Sequence, residues 1–153
     1  MSDKSTAGKG LEDVVVTTSD ICFIDGKKGT LVYRGYDIRE LVDRGATFEE
    51  TDYLLLNGKL PSRSELDEFA KAMAGTRALP KEVIKIMQLL AHQSHPMELL
   101  RTITSVLSSY DPDRGDMSLD AMRRRALRIV AQFPTIVATF DHMRNNRDPV
   151  TPD

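Results

Sequence analysis

The side chains of this sequence best suited to chemistry are three histidines (His92, His95 and His142), one cysteine (Cys22) and a dense run of arginines. His92 and His95 stand three apart, a spacing that could place two imidazoles on one helical face as metal ligands. Glu98, the nearest carboxylate, follows only after Pro96, and that proline marks a helix boundary, so the two histidines are not expected to share a regular turn. The expectation is therefore no metal site, with His95 a structural residue at a helix start and His92 partly exposed. Cys22 lies between Ile21 and Phe23 in an expected strand, with no nearby base to lower its pKa, and is read as a half-buried structural residue.

Arg123, Arg124, Arg125 and Arg128 form the densest basic block. On a helix, 124 and 128 share a face while 123, 124 and 125 fan out by about 100° each. Such a run could meet phosphates, but the plainer reading is a solvated face or ion pairs with Asp113, Asp116 and Asp120. Arg144 and Arg147 suit a helix C-terminus and could equally meet an anionic ligand. The carboxylates Glu49, Glu50, Glu65, Asp67 and Glu68 fall in capping or surface patterns. No glycine-rich phosphate loop, G-x-S-x-G elbow or H-E-x-x-H is present. From the residues alone, then, no catalytic residue is assigned, and any cofactor-binding residue stays unknown.

The elements that would carry these side chains are mostly helical. Ile21, Phe23 and Ile24, a turn at Asp25–Gly29, and then Thr30–Tyr33 read as a β-hairpin, with Val14–Thr18 as a third short strand. Asp37 is placed to cap a helix over Ile38–Arg44. Thr47 with Glu50, and Ser62 with Glu65, have capping-box spacing, and Gly58 and Gly75 stand where those two helices should stop. Pro80 suits a first turn before Val83, Ile86, Met87 and Leu90, and Pro96 opens a helix with the stripe Leu100, Ile103, Leu107 and Tyr110. Asp111–Asp116 is a break. Ser118 caps the last long helix, with the stripe Leu119, Met122, Ala126, Ile129 and Phe133, and Pro134 should kink or interrupt it. The expected fold is mainly α, a short N-terminal β-hairpin followed by six or seven helices. Residues 1–10 read as a flexible N-terminus, 11–147 as one helical portion without an internal linker, and 148–153 as a C-terminal loop.

The composition agrees with a globular chain of 153 residues, 41% hydrophobic and 29% charged. A net charge of −2 argues against a general nucleic-acid or anionic-membrane binder. A single cysteine excludes an internal disulfide framework and points to the cytoplasm. The N-terminal residues lack the apolar region of a signal peptide, and no apolar run approaches the ~20 residues that span a bilayer.

Several motifs occur in one order. Gly10–Val16, Ile24–Gly29 and Tyr33–Leu41 are followed by Thr47–Glu50, Tyr53–Pro61 and Leu79–Pro80. His95-Pro96-Met97 with Leu100-Arg101-Thr102, Tyr110-Asp111-Pro112 and Phe133–Ala138 complete the series. From about residue 10 onward the chain resembles the N-terminal portion of a citrate synthase or 2-methylcitrate synthase. The resemblance implies a helical large-domain portion and a homodimer, or a complex with a catalytic citrate synthase chain. It implies acyl transfer, in which acetyl-CoA (propionyl-CoA for a methylcitrate synthase) and oxaloacetate condense in the tricarboxylic acid cycle. In that chemistry a histidine and an aspartate enolise the thioester, a second histidine polarises the ketone, and arginines bind oxaloacetate, with no metal or redox cofactor. Those groups come from a later part of the family's sequence, so no catalytic residue carries over, and this chain alone is expected to be inactive. An inactive remnant and a non-catalytic regulatory module that pairs with a synthase are the other expectations.

Overall fold

The computed structural model of the chain describes residues 17–152. They belong to two compact units, one ending at Lys59 and one beginning at Leu60.

The first unit opens with a three-stranded antiparallel sheet, β1 (Cys22–Asp25), β2 (Thr30–Tyr33) and β3 (Tyr36–Asp37), in the order β1-β2-β3. Register is set by the turns. Between β1 and β2 the Asp25 carboxylate accepts hydrogen bonds from the backbone N–H groups of Lys27 and Lys28, both at 3.1 Å. Between β2 and β3 the pair Tyr33–Tyr36 is closed by Arg34 (φ 48°) and Gly35 (φ 92°). Positive φ at both central residues defines the tight hairpin turn whose twist matches the strands. The third strand is therefore Tyr36–Asp37. Thr17 and Thr18 carry no strand, and Val14–Val16 lie outside the described residues.

Two helices follow, α1 (Ile38–Asp43) and α2 (Phe48–Asn57). Asp37 caps α1 by accepting from the Arg39 N–H, and Thr47 caps α2 by accepting from the Glu50 N–H. The capping box expected at α2 has only its threonine half, because the Glu50 carboxylate takes Arg44 instead, at 2.7 Å. Gly58 ends α2 in the left-handed region (φ 80°), its N–H bonding the Leu54 carbonyl. The strained Arg34 has a return: its Nε and Nη2 both donate to the Leu55 carbonyl, at 3.2 and 2.9 Å. One guanidinium thus satisfies a last-turn carbonyl of α2 that no helical N–H reaches.

The second unit is helical, with α3 (Arg63–Ala74), α4 (Lys81–Leu90), α5 (Pro96–Leu107), a 3-10 turn (Ser108–Tyr110) and α6 (Leu119–Arg144). Ser62 and Glu65 form the expected capping box of α3. Pro80 is the N-cap of α4 rather than a residue of its first turn. The core lies where α4, α5 and α6 meet. It takes Val83 and Met87 from α4 and Ala91 from its C-cap, Leu99, Ile103 and Leu107 from α5, and Ile136, Phe140 and Met143 from α6. The rows step by three or four residues, so each helix presents one continuous ridge.

Two expected stripes are displaced. On α5 the buried row is Leu99-Ile103-Leu107, and Tyr110 is largely exposed beyond the helix end. On α6 the buried row is Ala121, Ala131, Thr135, Ile136, Thr139, Phe140 and Met143, whereas Leu119 and Met122 of the expected stripe are exposed. The helix is apolar on two faces, and periodicity alone does not say which one the unit covers. α6 also runs without a break through Pro134. The proline removes one N–H, and the buried Ala131, Thr135 and Ile136 beside it hold the helix in line.

Ile103 is fully buried among the three helices, whereas Leu89 projects outward from α4. Ile103→Ala should lower unfolding stability by about 2–5 kcal/mol in urea titration. Leu89→Ala should change it by less than about 0.5 kcal/mol.

Candidate functional site

The best-formed constellation of charged side chains joins the end of α5 to the start of α6. The chain leaves the 3-10 turn at Tyr110 and is extended at Asp111. It reaches the α6 cap at Ser118, whose hydroxyl accepts from the Ala121 N–H. Asp111 accepts from the Asp113 N–H at 3.0 Å, so the two carboxylates are presented together. Arg124, Arg125 and Arg128 project from the first turns of α6 and meet them. Arg124 approaches Asp113 in a forked arrangement, with Nη2 at 2.6 Å and Nε at 3.2 Å. Arg125 Nε donates to Asp111 at 2.5 Å, and its Nη2 donates to the carbonyls of Asp113 and Asp116. Arg128 bridges both aspartates, bonding Asp111 and, at 2.6 Å, Asp113.

Burial separates these contacts from ordinary surface pairs. Asp111 and Asp113 keep only 10% and 15% of their side-chain surface, and Arg128 keeps 20%. Solvent and salt screen such a network less than the exposed Arg123–Asp120 pair at 3.7 Å. Side-chain hydrogen bonds from Arg124 and Arg128 hold the Asp113 carboxyl down at about 2. For Asp111, desolvation pushes upward, but the Asp113 N–H and the guanidiniums of Arg125 and Arg128 outweigh it, and the net shift is downward. Asp116 is lowered by hydrogen bonds from Ser118, backbone first.

Beside this network lies a cavity of about 310 Å³. Its apolar walls include Pro80, Leu107, Met117 and Ile129. Asp111, Arg114, Arg125 and Arg128 supply its charged side. The hydroxyls on its α5 side are already committed, Thr104 to the Leu100 carbonyl and Ser108 to the Ser105 carbonyl. The arrangement fixes a loop and shapes a cavity; it does not pair a nucleophile with a base.

The other expected site residues are dispersed. His95 is the N-cap of α5: its Nδ1 accepts from the Met97 N–H at 3.3 Å, and the Glu98 carboxylate accepts from the His95 N–H at 3.0 Å. That assigns the neutral ring proton to Nε2. His92 is exposed in the preceding turn. His142 Nδ1 lies 2.9 Å from the Asp148 carbonyl, to which it donates. Cys22 is exposed on β1 rather than half-buried, as are Phe23 and Ile24, so neither face of this strand is covered by the described residues. Arg144 stands over the Phe140 ring at 5.7 Å, and Arg147 pairs with Asp141 at 2.7 Å. Among the described residues no three His, Cys, Asp or Glu side chains group as metal ligands. No helix among them is long and apolar enough to cross a membrane.

The arginine run pairs with Asp113 and Asp120 as expected, whereas the Asp116 carboxylate takes the Ser118 N–H instead; a further partner, to Arg125 and Arg128, is Asp111. Its sequence signal is weak: it lies 14 and 17 residues before its arginine partners. Arg34 was likewise visible only as part of a motif.

The mainly helical fold with a small N-terminal sheet is that of solved citrate synthases. The citrate synthase of Pyrobaculum aerophilum superposes with a TM-score of 0.87 at 35% identity, over 94% of this chain and 38% of that one. A family model described as "Citrate synthase, C-terminal domain" matches residues 10–153. The chain belongs to the citrate synthase family. It is 42% identical over 149 residues to the citrate synthase of Haloferax volcanii, covering 95% of this chain and 39% of that protein. It is 35% identical over 144 residues to the 2-methylcitrate synthase of Mycobacterium tuberculosis, covering 94% of this chain and 36% of that protein. The chain thus spans well under half the length of the curated relatives it matches.

Two predictions follow from these contacts. Asp113 ionises far more readily in the folded chain than at its ordinary value of 3.8. Its stabilising contribution is complete above that value and is lost as pH falls through about 2. The stability advantage of the native chain over Asp113→Asn, measured by urea unfolding, should be constant at neutral pH and vanish across that acid window. For His95, replacement by Ala should cost about 0.5–2 kcal/mol through loss of the cap, while Asp, which can accept the same N–H, should restore most of it. Thermal unfolding of the two variants checks this.

Proposed function

We propose that the chain is the N-terminal portion of a citrate synthase-type acyltransferase that condenses acetyl-CoA with oxaloacetate to give citrate and CoA. The observation that carries this reading is the continuous family match over residues 10–153, together with coverage of only 39% of a relative's length. In this reading the chain contributes fold and a dimer surface, and the enolising histidine and aspartate come from outside these residues. Continuation of the same polypeptide, or a second chain, would supply them. The occupied histidines support this: His95 is engaged in a helix cap and His142 by a carbonyl. The apolar side chains left open on α6, Met122 at 40% and Val137 at 55% exposure, support a covering partner. The cytoplasm is the compartment we assign.

Propionyl-CoA is the second acyl donor to consider, because a 2-methylcitrate synthase is among the relatives at 35% identity. Acyl-chain choice belongs to the missing portion in this reading.

The test is release of CoA thiol from acetyl-CoA and oxaloacetate. The 153-residue chain alone should release none. Adding a polypeptide that carries the remainder of a citrate synthase should restore release, and propionyl-CoA run in parallel reports the acyl preference. Turnover by the purified chain alone would contradict the assignment of catalysis to the missing portion. A stable, inactive complex with a complete synthase that alters that synthase's rate would favour a regulatory module instead.

A further inference from the structure

The segment between the 3-10 turn and α6, residues 111–117, has an unusual attachment. Its one large apolar side chain, Met117, is exposed, as are Pro112, Arg114, Gly115 and Asp116. Hydrophobic burial therefore does little to hold it. What reaches across to α6 is charged: Asp111 to Arg125 and Arg128, Asp113 to Arg124 and Arg128, and Arg125 to two segment carbonyls. Its own internal bonds, Arg114 N–H to Asp111 O at 3.1 Å and Asp116 N–H to Asp113 O at 3.0 Å, make it a compact coil that can move as one piece. Gly115, with φ +87° and nothing near its missing side chain, provides a joint that other residues would strain. Arg114, Gly115 and Met117 line the 310 Å³ cavity together with Leu107 and Ile129.

We propose that residues 111–117 form a strap, latched to α6 by the Asp111/Asp113–arginine network, that opens independently of the helical core and uncovers the cavity beside it. Segments with few buried apolar contacts open at lower free energy than the core around them. The closing contacts are ionic, and their arginines keep 20–52% of their side-chain surface, so salt still weakens them, less steeply than a fully exposed pair, whereas the α4–α5–α6 core, closed by apolar burial, does not share that response. Arg128 is the central pin because, of the three arginines, it alone bridges both carboxylates. The inference rests on this geometry and stands whether or not the proposed enzymatic role is correct.

The test is amide hydrogen exchange on the full 153-residue chain, read by mass spectrometry. Peptides covering 111–118 are compared with those of α5 and of α6 residues 131–143. Raising NaCl from about 0.05 M to about 1 M shrinks the screening length from above 10 Å to about 3 Å. Strap exchange should then accelerate several-fold while the core peptides keep their rates. Arg128→Met should accelerate strap exchange by about tenfold or more, again with the core unchanged. Asp113→Asn, which leaves Asp111 to hold Arg125 and Arg128, should give an intermediate acceleration and provides the reading if Arg128→Met does not fold. A soluble paramagnetic agent should relax the Ile129 methyl faster in step with strap exchange. Parallel acceleration of strap and core would overturn the proposal, because the segment would then open only with the whole unit. A strap whose exchange is indifferent to salt and to both substitutions would overturn it equally.

Discussion

One helix sets the terms for the second unit. α6 has 26 residues and is about 39 Å long, against 10 residues in α4 and 12 in α5. Two shorter helices cannot cover a cylinder of that length. Nearly all of its buried row lies in the second half, from Ala131 to Met143, where Ile136, Phe140 and Met143 join the common core. Burial of that face is the interaction on which the rest depends, because it fixes the axis of α6 and with it the direction of every side chain from the first half.

The first half is held by another kind of force. Apart from Ala121, its residues are not buried, and its guanidiniums reach back to tie the preceding segment down through Asp111 and Asp113. Removing one partner from a half-buried network leaves charge without compensation, which is why such contacts act as a specific lock more than as a source of net stability. The division has a functional consequence. The apolar core resists salt, while the ionic clasp and the loop it restrains are the responsive part. The open apolar positions at Met122 and Val137 lie on the remaining face, where nothing in these residues covers them.

Local signals were legible in the sequence wherever the physics is local. Asp37, Ser62, His95 and Ser118 cap helices at the expected positions, and the β1–β2 hairpin falls between the expected runs, because caps and turns depend on a few neighbouring residues. Choice of face was less legible. Leu119 and Met122 look like core on periodicity, but their side of α6 is not the one this unit buries. Glu50 could not be assigned between the Thr47 backbone and Arg44 from spacing alone, since both lie within reach. Pro134 was expected to disturb a helix that neighbouring burial keeps continuous. Of the candidate site, the pairing of the arginine run with Asp113 and Asp120 was visible as charge balance, whereas the pairing of Asp111 depends on how the loop places it against α6.

Family membership and local structure meet at one point: a chain that matches the citrate synthase family over residues 10–153 leaves Met122 and Val137 of α6 exposed among its described residues. In the proposed function, this face of α6 receives the remainder of a citrate synthase or a second copy of the chain. The most direct measurement is the affinity of the chain for a polypeptide carrying the remainder of a citrate synthase, compared between the native sequence and Val137→Asp. Val137 is exposed, so the isolated chain should keep its melting temperature. Association, and the CoA release that depends on it, should be lost in the variant. Undiminished association with Val137→Asp would contradict that proposal.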